Sequence, residues 1–430
     1  MQIAQKYEIK TFPKSLAQLL NWSREFDVFC LLNNNNYFLP YHSHEMLAAV
    51  GVKEELILDN PQNAFSKLKT LIDTNPNAWI FGFLSYDLKN DVEMLNSENQ
   101  DNIQMPSLHF FIPKHVIAIK GDSFNFIYSD DRENDIRKNI FEYPDLPFQK
   151  HFPIQINNRI LCDEYVEIVK KIQQHIKIGD IYELNFCQEF YADNVNIDPV
   201  LTYLALNRES AMPFSAFYKF NDKYLLCASP ERFLKKENDQ LISQPIKGTI
   251  KRSSDLLLDE LKKNELNQDP KERAENIMIV DLVRNDLSKS ALAGSVKVAE
   301  LCGLYSFPHL HQMISTVTAK VKHNIHLVDC IKNAFPMGSM TGAPKVKAME
   351  LIEKYEKTKR GLFSGAVGYI TPKMDFDFNV VIRSILYNSK NKYLSYHTGS
   401  AITANSDPEK EYNECLLKAK AMNTVLLSNC

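Results

Sequence analysis

The sequence has no apolar run approaching the roughly 18 residues that a membrane span requires, and its start, Met1-Gln2-Ile3-Ala4-Gln5-Lys6-Tyr7-Glu8, has no apolar core behind a basic segment. A membrane is therefore not an expected partner, and the cytoplasm is the default location. No block of basic residues is interleaved with aromatics, and Lys+Arg at 50 against Asp+Glu at 53 leave a net charge of −3, so nucleic acid is not expected either. The 8 cysteines lie scattered through apolar runs without any Cys-x-x-Cys spacing, which argues for reduced, buried thiols and against disulfides or a zinc site. What remains is an ordinary globular composition, 44% hydrophobic and 24% charged over 430 residues, enough for two or three domain-sized units.

Residues 1–150 show short apolar runs broken by turn signals, such as 27–32 before four asparagines and 115–120 before Gly121-Asp122, with a helical pattern over 63–72. This predicts mainly antiparallel strands with a helix or two, and no catalytic constellation. A Pro-containing stretch over 143–153 predicts a connector, so the boundary is placed near 150, giving regions 1–150 and 151–430. Strands and helices alternate in both, which points to an α+β fold.

Chemistry concentrates in the second region. In Gln244-Pro245-Ile246-Lys247-Gly248-Thr249, proline and glycine constrain the corner that presents Lys247. Lys247 is either a solvated strand-end lysine or a nucleophile, and a nucleophilic amine needs its pKa lowered by burial or a nearby cation. Glu231, in Ser229-Pro230-Glu231-Arg232-Phe233, is a general acid or half of an ion pair. After Asp269-Pro270 a helix places Glu272 and Glu275 on one face, and after Ser406-Asp407-Pro408 another places Glu411 and Glu414 likewise. Each pair alone reads as a first helical turn favouring the dipole; facing each other, they can hold Mg2+, which takes one or two carboxylates and keeps several waters. Between them lie two glycine-rich turns, 335–345 before a helix, an anion-friendly arrangement, and 397–403 after an apolar run. Arg383 is either a buried structural pair or a fork for a carboxylate.

From Cys162 to Met422 these motifs, together with Val280-Asp281-Leu282-Val283-Arg284-Asn285-Asp286, occur in the order seen in the chorismate-utilising enzymes, the family of anthranilate, aminodeoxychorismate, isochorismate and salicylate synthases, and the chain resembles that family. The resemblance implies two related subdomains whose large antiparallel sheets stack as a central β-sandwich with helices outside. The motif around Lys247 carries lysine in the aminodeoxychorismate synthase branch and alanine in anthranilate synthases. It therefore implies amination of chorismate to 4-amino-4-deoxychorismate, towards p-aminobenzoate and folate, through a covalent lysine intermediate, with Glu231 as proton donor. By position, Glu275 and Glu414 would bind Mg2+ directly, with Glu272 and Glu411 beside them. Thr249, Ser339, Thr341, Gly342, Tyr369, Arg383, Gly399, Ser400, Ala401 and Lys418 would meet chorismate. No glutaminase triad is recognisable in the sequence, so a separate glutamine amidotransferase subunit is the implied ammonia source. Anthranilate or isochorismate synthesis is the nearest alternative, and a non-catalytic ligand-binding member of the fold the next.

Three departures stand out. Gln312 replaces the histidine of many relatives and cannot donate a proton as an acid. The last glycine turn reads Gly399-Ser400-Ala401, where Ser400 either narrows the approach to a ligand or adds a hydrogen bond. Leu31-Leu32-Asn33-Asn34 replaces the Leu-Leu-Glu-Ser of tryptophan-inhibited anthranilate synthases, so inhibition by that route is not expected. Lys247→Ala is expected to cut amination of chorismate strongly in a product assay; a variant with full activity would remove the lysine from the mechanism.

Overall fold

The computed structural model describes residues 14–121, 123–144, 153–307 and 310–427. Among them, two antiparallel sheets, of 11 and 10 strands, form the frame. The first sheet runs, in spatial order, from Gly342–Ala343 through Glu183–Ala192, Tyr393–Ile402, Ser384–Asn388, Lys223–Ser229, Phe214–Phe220, Val28–Asn33, Met46–Val50 and His115–Lys120 to Ser123–Ser129. The second runs from Ile246–Lys251 through Leu310–Lys320, Gln240–Gln244, Arg232–Glu237, Phe376–Asn379, Ala366–Ile370, Ile80–Leu84 and Leu108–Ile112 to Glu54–Leu58.

Period-two alternation decides which side chains meet between the sheets. Val28 and Cys30 of the first sheet join Phe81, Phe83 and Val367 of the second in one buried cluster, while Phe29 and Leu31 turn outward. The outer face of the first sheet is covered by helices Lys14–Trp22, Pro199–Glu209 and Pro408–Leu427. That of the second is covered by Ala64–Thr74, Pro270–Ser290 and Leu327–Ala334. The expected α+β sandwich with outer helices is thus the observed one.

The boundary placed near 150 falls in 145–152, outside the described residues. On its N-terminal side the strands do not make a sheet of their own: Val28–Asn33 pairs with Phe214–Phe220, and Ile80–Leu84 pairs with Ala366–Ile370. The first region completes both sheets. No helix among the described residues is long and apolar enough to cross a membrane.

Two glycines let the second sheet carry large aromatics on neighbouring strands. Gly82 pairs opposite Phe110 and Gly368 opposite Phe378, and these two rings lie 6.0 Å apart. A Cβ on Gly368 would overlap the Asp377 carbonyl and come within 2.7 Å of the Phe378 ring. Gly368→Ala is expected to cost about 1–3 kcal/mol of stability through overpacking, read as a lower urea midpoint.

Candidate active site

Two of the crossings that the chain makes between the sheets lie side by side. Pro230 and Glu231 carry it from strand Lys223–Ser229 to strand Arg232–Glu237, and residues 380–383 bring it back from Phe376–Asn379 to Ser384–Asn388. The Val380 N–H donates to the Glu231 carbonyl at 3.0 Å, tying the crossings together. Arg232, 1% exposed, anchors them by donating to both Asp377 carboxylate oxygens at 2.9 and 3.0 Å and to Gln244. Its neighbour Glu231 points elsewhere, to the Ser339 hydroxyl, which donates to it at 2.6 Å. Burial pushes the Glu231 carboxyl up to about 7, against the opposing pull of the Ser339 bond and the Lys247 and Arg383 charges.

Arg383, on the return crossing, has φ 51, a region that non-glycine residues rarely enter. No hydrogen bond or ion pair joins its guanidinium to another described residue, so its fork is available to an anion. Burial brings it down to about 10, with the Glu231 charge opposing.

Lys247 lies on the edge strand Ile246–Lys251 of the second sheet. Gly248, at φ 93, accompanies a break in pairing between Ile246 and Thr249, and a Cβ there would sit 3.3 Å from Glu272 Oε2. Asn276 clamps the corner to helix Pro270–Ser290 by donating to the carbonyls of Lys247 at 3.2 Å and Met313 at 3.3 Å. The Lys247 ammonium donates to Glu183 Oε1 at 2.9 Å, joining the margins of the two sheets. The expectation of a lowered lysine pKa is corrected here. Burial does pull it down, but the Glu183, Glu275 and Glu414 carboxylates outweigh burial and hold the ammonium well above its ordinary range.

The two predicted helices supply the acids. Asp269 caps Pro270–Ser290 by accepting from the N–H groups of Lys271 at 2.8 Å and Glu272 at 3.0 Å. Lys271 bridges to the second helix, 3.8 Å from Glu275 and 3.3 Å from Glu411. Lys418 pairs with Glu414 at 2.7 Å and donates to the Gly399 carbonyl at 2.8 Å. Burial, with the Glu183 and Glu272 charges adding, lifts Glu275 to about 7 against Lys247. Glu272 is raised by burial and by Glu414. In Glu414 burial is outweighed by Lys418, and the carboxyl lies below its ordinary value. Glu275 Oε1 is buried and accepts no hydrogen bond from the described residues. Among the described residues no three His, Cys, Asp or Glu side chains close on one point. The unpartnered buried oxygen of Glu275 is the kind of hard donor that a divalent cation taking one or two carboxylates uses.

The remaining predicted residues divide. Ser339 serves Glu231, and Gly342, at φ 150, lays its loop against strand Glu183–Ala192, where a Cβ would overlap the Glu183 carbonyl. Thr249 is exposed and pairs opposite Gln312, which is 1% exposed with its side-chain oxygen unpartnered. The Thr341 hydroxyl turns back to the carbonyls of Met337 and Gly338, both at 3.3 Å. The predicted second turn is instead the middle of strand Tyr393–Ile402, because Gly399 packs too tightly against Phe186 and Cys187 for any side chain. Alternation along that strand places the Ser400 hydroxyl 3.1 Å from the Tyr165 hydroxyl. Ala401 is 8% exposed, between that residue and the strand end. Tyr369 does not join the others: strand alternation sends it with Val367 into the sandwich interior, its ring 5.9 Å from those of Trp79, Phe81 and His44.

Two residues that sequence reasoning passed over belong to the site. Glu183 is 1% exposed, and its one sequence signal is an acid at the start of a strand that carries a second acid, Glu189, further along. Arg360 pairs with Glu356 at 2.6 Å and donates to the carbonyls of Met340 at 2.6 Å and Asn185 at 2.9 Å, fastening the 338–342 loop to the Glu183 strand.

The model of a family described as chorismate binding enzyme matches residues 29–424. The chain is 31% identical over 380 residues to aminodeoxychorismate synthase component 1 of Escherichia coli, spanning 86% of this chain and 83% of that protein. It is 30% identical over 407 residues to the Bacillus subtilis protein of the same name, spanning 90% and 84%. A probable chloroplastic aminodeoxychorismate synthase of rice is 41% identical over 267 residues, which are 61% of this chain and only 30% of that longer protein. In fold, the chain is similar to anthranilate synthase component I from Streptococcus pneumoniae, with a TM-score of 0.77 at 23% identity over 98% of this chain and 95% of that one.

A carboxyl raised to about 7 against an ordinary 4.5 makes the folded state hold a proton that the unfolded state has released. Below both values the group is neutral in each state; as pH rises from about 4.5 through about 7, folding loses on the order of 3 kcal/mol at Glu231. Urea unfolding of Glu231→Gln should accordingly show a flatter decline in stability between pH 5 and 8 than the unaltered protein.

Proposed function

Since this chain belongs to the chorismate-binding enzyme family, we propose that it aminates chorismate at C4, giving 4-amino-4-deoxychorismate. The observation that carries this reading is the placement of Lys247 within one cluster that also holds Glu231, whose carboxyl burial lifts to about 7, and Arg383, whose guanidinium has no hydrogen-bond or ion-pair partner among the described residues. Arg383 and Lys418 offer positive charge to a substrate with two carboxylates. In the first half-reaction Lys247 Nζ, as the free amine, bonds to C2 and the ring double bonds shift. The C4–O bond breaks, and the oxygen leaves as water with the proton of Glu231. Ammonia then bonds to C4, the double bonds shift back, and the Nζ–C2 bond breaks. The surplus proton of the new amine returns to Glu231, so the sum is chorismate plus ammonia giving aminodeoxychorismate plus water.

Glu275 and Glu414, with Glu272 and Glu411 beside them, are the residues that would hold Mg2+. When bound, that ion supplies positive charge at the ring carboxylate and draws electron density from the ring. The relatives in E. coli and B. subtilis are each named a component 1, which implies a second component for them. For this chain we assign that role to a glutamine amidotransferase supplying ammonia. The product feeds p-aminobenzoate and folate synthesis, and the enolpyruvyl group is left for a separate lyase.

Purified protein with chorismate, Mg2+ and ammonium at mildly alkaline pH should yield aminodeoxychorismate by mass spectrometry, which an aminodeoxychorismate lyase converts to p-aminobenzoate. Anthranilate or isochorismate in its place would overturn the amination reading and leave the family membership standing.

A further inference from the structure

We propose that Glu183 is the proton acceptor that frees the amine of Lys247, acting through the lysine and not on the substrate. This deepens the amination reading and rests on it. The reaction starts from a neutral amine, yet the ammonium lies in a buried ion pair with the Glu183 carboxylate. Some base in contact with Nζ has to take that proton. Among the described residues Glu183 is the one acid within ion-pair distance, with Oε1 at 2.9 Å.

The charged groups facing the pair come from three further places: Glu272, Glu275 and Lys271 from helix Pro270–Ser290, Glu414 and Lys418 from helix Pro408–Leu427, and Glu231 and Arg383 from the sheet crossings. Three of these acids already have another engagement. Glu231 is bonded to Ser339, Glu414 to Lys418, and Glu275 stands beside Lys271. Among the described residues Glu183 has no cation other than Lys247 within ion-pair distance, and its buried Oε2 has no hydrogen-bond partner. Were the lysine to lose its proton to bulk water, a bare carboxylate would be left in a site almost without solvent, which is strongly unfavourable. Moving the proton from Nζ to Glu183 turns two buried charges into two neutral groups and leaves no bare ion. When the Nζ–C2 bond later breaks, Glu183 returns the proton, and the pair ends as it began.

The fold holds the carboxylate in register for this. Gly342 and Ala343 pair with Leu184 and Glu183, and Arg360 ties that loop to Asn185, so the acid sits on a clamped strand.

The test is single-turnover formation of the covalent adduct, chorismate less water on intact protein, followed by mass spectrometry with Mg2+ and without ammonium from pH 6 to 9. In Glu183→Gln the adduct should form about 100-fold more slowly at pH 7, within the range a positioned base supplies. The ratio of the Glu183→Gln rate to the unaltered rate, in which the contribution of Glu231 cancels, should climb about tenfold per pH unit as hydroxide replaces the lost base, until the lysine's own pKa is reached. Glu183→Asp, which keeps a carboxylate, should give an intermediate rate and a flat ratio; this rescue separates proton transfer from a folding defect. A Glu183→Gln rate equal to the unaltered one, or a ratio constant across pH, overturns the proposal while the lysine reading stands. Absence of adduct in the unaltered protein overturns both together.

Discussion

One ion pair spans the seam on which this site is built: Lys247 from the margin of one sheet, Glu183 from the margin of the other. Burying either charge alone would cost several kcal/mol, and their attraction offsets that only at close range and in good geometry. Both sheets must therefore be brought together accurately where their edges meet. Two glycines make the approach possible, Gly248 beside Glu272 and Gly342 against the Glu183 carbonyl. Around the pair, acids and cations alternate through Lys271, Lys418 and Arg383, so each buried carboxylate has a cation or a hydroxyl near it.

The surrounding scaffold spends its strongest polar contacts on fixing backbone. Arg232 holds the paired crossings through Asp377, Arg360 holds the 338–342 loop through Glu356, and Lys345 donates to Asp286 at 2.5 Å, linking that loop to helix Pro270–Ser290. These three cations are satisfied within the protein. Arg383 is different in kind: its backbone lies at φ 51, and its guanidinium has no hydrogen-bond or ion-pair partner among the described residues.

Much of this was legible in the sequence because local chemistry dictates it. Asp269-Pro270 and Asp407-Pro408 are helix starts by capping alone, and the three-residue spacing of the glutamates then puts each pair on one face. Pro245 and Gly248 mark a constrained corner wherever they occur. What was not legible depends on pairs of strands distant in the chain. Gly399 reads as a turn until Phe186 and Cys187 are known to lie against it, and Tyr369 reads as a site residue until the sheet to which its side chain points is known. The charge state of Lys247 is of the same sort: its motif says nothing of Glu183, 64 residues earlier, which together with Glu275 and Glu414 opposes the effect of burial.

The order of strands in the first sheet also bears on how the molecule is made. Tyr393–Ile402 lies between Glu183–Ala192 and Ser384–Asn388, in the interior of that sheet and not at its rim. Until this strand has left the ribosome, Glu183–Ala192 has a raw edge and the sheet exists as two unconnected parts, one of them carrying the N-terminal strands. Folding is thus weighted towards contacts between residues far apart in sequence, a topology that folds slowly. During synthesis the nascent chain exposes unpaired strand edges until residue 402 is in place.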